Sequence, residues 1–223
     1  MIRYFTLMVV LCVSVAPNLA HADAGEDFDR SHLRATRFDL HAMEVLTAGG
    51  ALSTAVGVGL LTTDRYDEGL RIAGGITAGF GVVNLALGAL GIWQAKRAER
   101  AYLASAGARS TPQGLADAQR ADLRKAQKDT VLFGINLGLD VGYVLAGSAA
   151  IIASQLGADH SSRWLAGGVA TCVQGAFNVA IDLALVLNSN RHHRGVIDSL
   201  VPMVAVVPTP EGTRADFEVS GRF

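Results

Sequence analysis

Gly168-Val-Ala-Thr-Cys-Val-Gln-Gly-Ala-Phe-Asn-Val-Ala-Ile-Asp182 decides the fold, because its pattern occurs twice in the chain. Alternate steps of three and four pick out Gly168, Thr171, Gly175, Asn178 and Asp182. The same steps pick out Gly74, Thr77, Gly81, Asn84 and Gly88 in an earlier apolar stretch, so four of the five positions agree in residue type. Asn84-Leu-Ala-Leu answers Asn178-Val-Ala-Ile, and Arg97 and Arg100 stand in register with Arg191 and Arg194. A three-four alternation is the seam of a packed helix. This seam is small and polar inside a greasy helix, which is how helices pack against one another in lipid. The pattern predicts an all-α fold: a membrane four-helix bundle built from two tandem helical hairpins, an internal repeat.

The whole chain agrees with that reading. Half of its 223 residues are hydrophobic, and they gather in four long runs rather than in amphipathic stripes. The runs span about 42–63, 71–94, 130–156 and 163–188. Each is about twenty residues, enough to cross roughly 30 Å of hydrocarbon. The net charge of −1 gives no field that argues for nucleic acid. Of the two cysteines, Cys12 lies in a leader and Cys172 in an apolar run, so the mature chain has no disulfide to make.

Six segments follow in order. Residues 1–22 read as a secretory signal peptide, with Arg3 at its start, an apolar centre from Tyr4 to Ala16, and Ala20-His21-Ala22 as cleavage site. The competing reading is an uncleaved anchor. Residues 23–41 are polar, with Ser31 a candidate helix cap. Residues 42–94 form the first transmembrane hairpin, and 130–188 the second. The basic connection 95–129 reads as two helical extensions, broken at Gly107 to Gly114, with Thr111-Pro112 starting the second. Residues 189–223 form an extramembrane tail with a β-hairpin-like C-terminus. Pro202, Pro208 and Pro210 exclude a continuous helix there, and Ala215 to Phe223 alternates apolar and polar.

Two further runs of small residues recur at every fourth position: Thr47, Ala51, Ala55 and Gly59, then Gly134, Gly138, Gly142, Ala146, Ala150 and Ser154. They are expected to pack inside the monomer. Asn84, Asn136, Asp140, Asn178 and Asp182 are expected to form one intramembrane polar layer, about 9–15 Å below the basic end of the bundle. The helix-packing seam is Gly74, Thr77, Gly81, Gly168, Thr171 and Gly175.

His41 with Glu44, and His192-His193, lack the spacing of a zinc site, so no metal and no cofactor are expected, and these histidines are read as solvated. No nucleophile–base pair and no phosphate loop stand out, so no catalytic residue is named. The expectation is a bacterial-type multipass membrane protein with a structural or accessory role, not an enzyme. The alternative is a small channel or transporter using the Asn/Asp layer. Asp140 and Asp182 as a catalytic carboxylate pair is a third reading. The partners expected are the lipid bilayer and, through the tail, a protein or a second copy. The location expected is the cell membrane, reached by the secretory pathway. Two topology signals oppose each other. Lys and Arg concentrate on one side, eight of them within 95–129, which the positive-inside rule places in the cytoplasm. A cleaved signal peptide places that side outside.

Overall fold

The computed structural model describes residues 24–62, 67–157, 159–199, 204–209 and 212–217. Residues 1–23, 63–66 and much of the C-terminal segment, including Val219 to Phe223, lie outside the described residues.

Four long helices carry the fold: α1 (Ala24–Thr62), α2 (Glu68–Ala104), α4 (Pro112–Gln155) and α5 (Ser161–Ser199). The one-turn α3 (Ala106–Arg109) sits in the long connection. All four are long and apolar enough to cross a membrane. Their large apolar side chains point outward: Leu52, Val83, Leu90, Ile135, Leu139, Leu145 and Val173 are all exposed. The buried positions hold small residues instead, such as Ala42, Ala73, Ala126 and Ala170. An apolar outside over a small-residue inside is the pattern of a multi-pass membrane protein.

The caps explain where the helices start. Asp67 accepts a hydrogen bond from Leu70 N (2.9 Å) and opens α2. Thr111 accepts from Gly114 N (3.1 Å), with Pro112 in the first turn of α4. Ser31 is not a cap: α1 begins at Ala24 and runs through it. The segment after residue 188 begins as helix, since α5 continues to Ser199.

α1 and α2 form one hairpin, and α4 and α5 the other. α5 joins them, packing on α2 and α1 as well as α4, while α4 meets little besides α5. Within each hairpin the backbones approach closely. A Cβ on Gly81 would strike the backbone of Thr54 and Gly50, and one on Gly74 the backbone of Gly57. A Cβ on Gly168 would lie 2.7 Å from the Gly147 carbonyl oxygen, and one on Gly175 3.0 Å from Val144. Thr77 and Thr171 are half-buried beside them.

The every-fourth-residue ribbons do not pack as expected. Ala51, Ala55 and Gly59 are exposed, and around Gly134, Gly138 and Gly142 nothing lies within 4 Å of an added Cβ. The reason is geometric. An α-helix turns once in 3.6 residues, so a four-residue step drifts around the cylinder, whereas alternating three and four holds one face. The seam in use on α1 runs Met43, Thr47, Gly50, Thr54, Gly57, and on α4 Asp140, Val144, Gly147, Ile151, Ser154.

Candidate functional site

Two polar constellations sit in the bundle. The first is intramembrane. Asn84 of α2 donates to Asn178 Oδ1 of α5 (2.9 Å), and Asn178 Nδ2 donates to Asp140 Oδ1 of α4 (3.3 Å). Asp182 follows Asn178 by one turn on α5. Asn84 and Asp140 are buried, while Asn178 and Asp182 are half-buried. Asn136 is half-buried one turn before Asp140, and among the described residues no hydrogen bond joins it to the others. A further intramembrane pair escaped the sequence reading: buried Gln174 donates to Ser53 Oγ (3.1 Å), linking α5 to α1. Two apolar clefts, of about 680 and 470 Å³, lie nearer the short turns, and neither is lined by a layer residue.

The second constellation lies at the basic end, beyond the apolar runs, where the helices continue as a packed extension. Asp122 of α4 is its centre. Its Oδ1 meets His32 Nδ1 of α1 at 2.9 Å, and its Oδ2 meets His192 Nε2 of α5 at 2.6 Å. All three side chains are buried, with 12%, 6% and 8% of the surface of His32, Asp122 and His192 left exposed. Burial favours the neutral acid in Asp122, but the hydrogen bonds and charges of His192 and His32 outweigh it and hold the carboxyl well below the usual carboxylate range.

Each imidazole is braced from behind. His192 Nδ1 is 3.2 Å from Ser31 Oγ. His32 stacks on Tyr102, with ring centroids 3.8 Å apart. The Arg109 guanidinium lies 3.6 Å from the Tyr102 centroid, so the ring is held between a cation and an imidazole. Arg109 also pairs with Asp29 at 3.3 Å, and the Tyr102 hydroxyl donates to the same carboxylate. Phe28, fully buried, packs against Tyr102 and His32. Next to the centre, Asn188 donates to Asp39 Oδ1 (3.0 Å), and burial lifts the Asp39 pKa to about 6 against the pull of Lys125. His32, Asp39, Asp122, Lys125, Asn188 and His192 line a cavity of about 20 Å³.

The expectation that the surface histidines are solvated therefore fails for His192. It holds for His41, which stays exposed beside Glu44. His192 is drawn in because it continues the buried register of α5, seven residues after Leu185 and four before Val196.

Residues 45–183 match the family model described as Family of unknown function (DUF6992). All five residues of the intramembrane layer fall within that span, whereas His32 and His192 lie on either side of it. No curated protein and no solved structure matches the chain.

Proposed function

We propose a role for a chain that belongs to DUF6992, a family of unknown function: it serves its membrane as a structural or accessory multipass protein, not as an enzyme. The observation that carries this reading is the closure of the polar layer. Asn84, Asn178 and Asp140 hydrogen-bond one another across three helices. Such contacts fix helix register, each worth about 0.6 kcal/mol on average. The alternative, a small channel or transporter, draws on half-buried Asp182, because an ionisable residue at membrane depth is costly to keep. Proteoliposomes decide between them. Proton and cation flux should equal that of empty liposomes. Flux above that level, abolished by Asp140→Asn or Asp182→Asn, would replace the structural reading with transport.

Three finer readings belong with this one. Residues 1–22 are a signal peptide that sends the chain through the secretory pathway to a bacterial-type cell membrane, as Arg3, the apolar centre and Ala20-His21-Ala22 suggest. The purified protein should then begin at Asp23, and a retained Met1 would overturn cleavage. The two hairpins are copies of one unit, on the strength of the shared seam. The tail is a hairpin that docks a protein partner or a second copy. The Val204↔Phe217 to Thr209↔Gly212 register supports it, since a lone hairpin in water is marginal. Removing residues 214–223 should cost the protein its partner, and full retention of every partner would end the docking idea.

A further inference from the structure

The His32–Asp122–His192 centre goes beyond a structural role in the lipid. Three donors, from α1, α4 and α5, present ring nitrogens and a carboxylate whose ligand atoms all lie within 4.8 Å of one another. Two imidazoles and one carboxylate are a ligand set for a first-row divalent transition metal. With ligand bonds of about 2.0–2.1 Å, a tetrahedral ion sets its donors about 3.3 Å apart. The present contacts of 2.9 and 2.6 Å run to the two different oxygens of Asp122, so to admit an ion they open while the widest donor pair, now within 4.8 Å, closes.

Three independent features fit an ion rather than a plain hydrogen-bonded lock. The cavity of about 20 Å³ is lined by all three donors, and that is about the space one water occupies, so a fourth ligand has room. The second nitrogen of His192 faces Ser31 Oγ at 3.2 Å. A hydroxyl both donates and accepts, so Ser31 accepts Nδ1–H when Nε2 carries a metal, the usual way a ligating imidazole is oriented. The His32 ring is locked by its stack on Tyr102, itself held by Arg109.

We propose that His32 Nδ1, His192 Nε2 and the Asp122 carboxylate bind one divalent transition-metal ion of the Zn²⁺ class, with water as fourth ligand. The ion joins the first hairpin to the second outside the lipid, where α1 and α4 otherwise touch little. Sequence spacing gives no hint of it, since His32 and Asp122 are 90 positions apart and Asp122 and His192 are 70.

The test uses the full chain in detergent, freed of any affinity tag and stripped with a chelator. Co²⁺ is titrated while its visible ligand-field absorption is followed, and Zn²⁺ is then used to displace it. One ion per chain is expected, with a rise in the thermal midpoint as metal is added. His32→Ala and His192→Ala should each weaken binding on the order of 100-fold or more, and Ser31→Ala about 10-fold. His41→Ala, on the exposed surface, should bind as the parent does. Asp122→Asn keeps the side-chain shape and guards against misfolding of the alanine variants. With native helix content by circular dichroism, it should still lose the Co²⁺ band. No band in the parent protein, or a band that survives Asp122→Asn or His192→Ala, overturns the proposal.

Discussion

At the residue scale, Asp39 gives the clearest pH dependence. It lies three residues outside the first apolar run, buried beside Asn188 with Lys125, Asp129 and His192 nearby. Burial lifts its pKa from 3.8 to about 6, while Lys125 and the Asn188 hydrogen bond pull it back. A folded-state pKa above the unfolded one means stability that is full below the unfolded value. That stability is lost as pH rises through the folded value. Between about pH 4 and 6 the native state should lose roughly 3 kcal/mol relative to its protonated form. Asp39→Asn removes this loss. The variant should melt above the parent at pH 7.5 in detergent, and the gap should close by pH 4. A gap of constant size across that range would refute the burial argument. Residues of this kind were legible only by register. Phe28, His32, Ala35, Asp39, Ala42 and Leu46 recur at steps of four and three on α1, continuing the membrane seam into the polar segment. Gln119, Asp122 and Ala126 do the same on α4. Their polarity points to solvent, and burial overrides it at His32, Asp39 and Asp122 because each has a partner on another helix.

At the element scale, the step along the helix separates faces that pack from faces that do not. The three-four seam of α2 and α5 could be read from the sequence because a single face held its Gly, Thr and Asn residues. The four-step ribbons of α1 and α4 meet the packed face only at Thr47 and Ser154, because Ala and Gly are frequent enough to fill a four-step row that drifts off it. Contrasting substitutions test the distinction. Gly81→Leu meets the backbone of Thr54 and Gly50, which cannot rotate away, and should cost several kcal/mol. Gly175→Leu meets Val144 Cγ2 at 3.0 Å and Tyr143 Cβ and the Val144 backbone nitrogen at 3.1 Å, a looser approach than at Gly81, and should cost about 1–3 kcal/mol. Gly138→Leu, with nothing within 4 Å, should leave the monomer's thermal midpoint in detergent unchanged or raised, since Leu is the better helix former. Equal losses at all three positions would mean that the seams are misassigned.

At the scale of the whole molecule, the bundle is lopsided. Its helices of 37 to 44 residues are about 55–66 Å long, roughly twice the hydrocarbon thickness. α1 ends at Thr62 and α4 at Gln155, close to the ends of their apolar runs, so the surplus helix projects from the other end. There residues 24–41, 95–104, 112–129 and 189–199 are all helical, and α1, α4 and α5 converge on Asp122. Four crossings place both ends of the described bundle and its long connection on one side of the membrane, whichever side that is. Single cysteines, with Cys12 and Cys172 replaced by Ala, test this directly. Arg37→Cys, Ser110→Cys and Arg194→Cys are exposed positions on the projecting end, and Ser161→Cys is exposed at the turn end. A membrane-impermeant maleimide applied to sealed vesicles should modify the first three alike and treat Ser161→Cys oppositely. Permeabilisation should then make all four equal. If Ser110→Cys and Arg194→Cys report different sides, α4 and α5 do not both cross. The layer joining Asn84, Asp140 and Asn178 would then lie in a bundle of another topology, and the closure on which the structural reading rests would go with it.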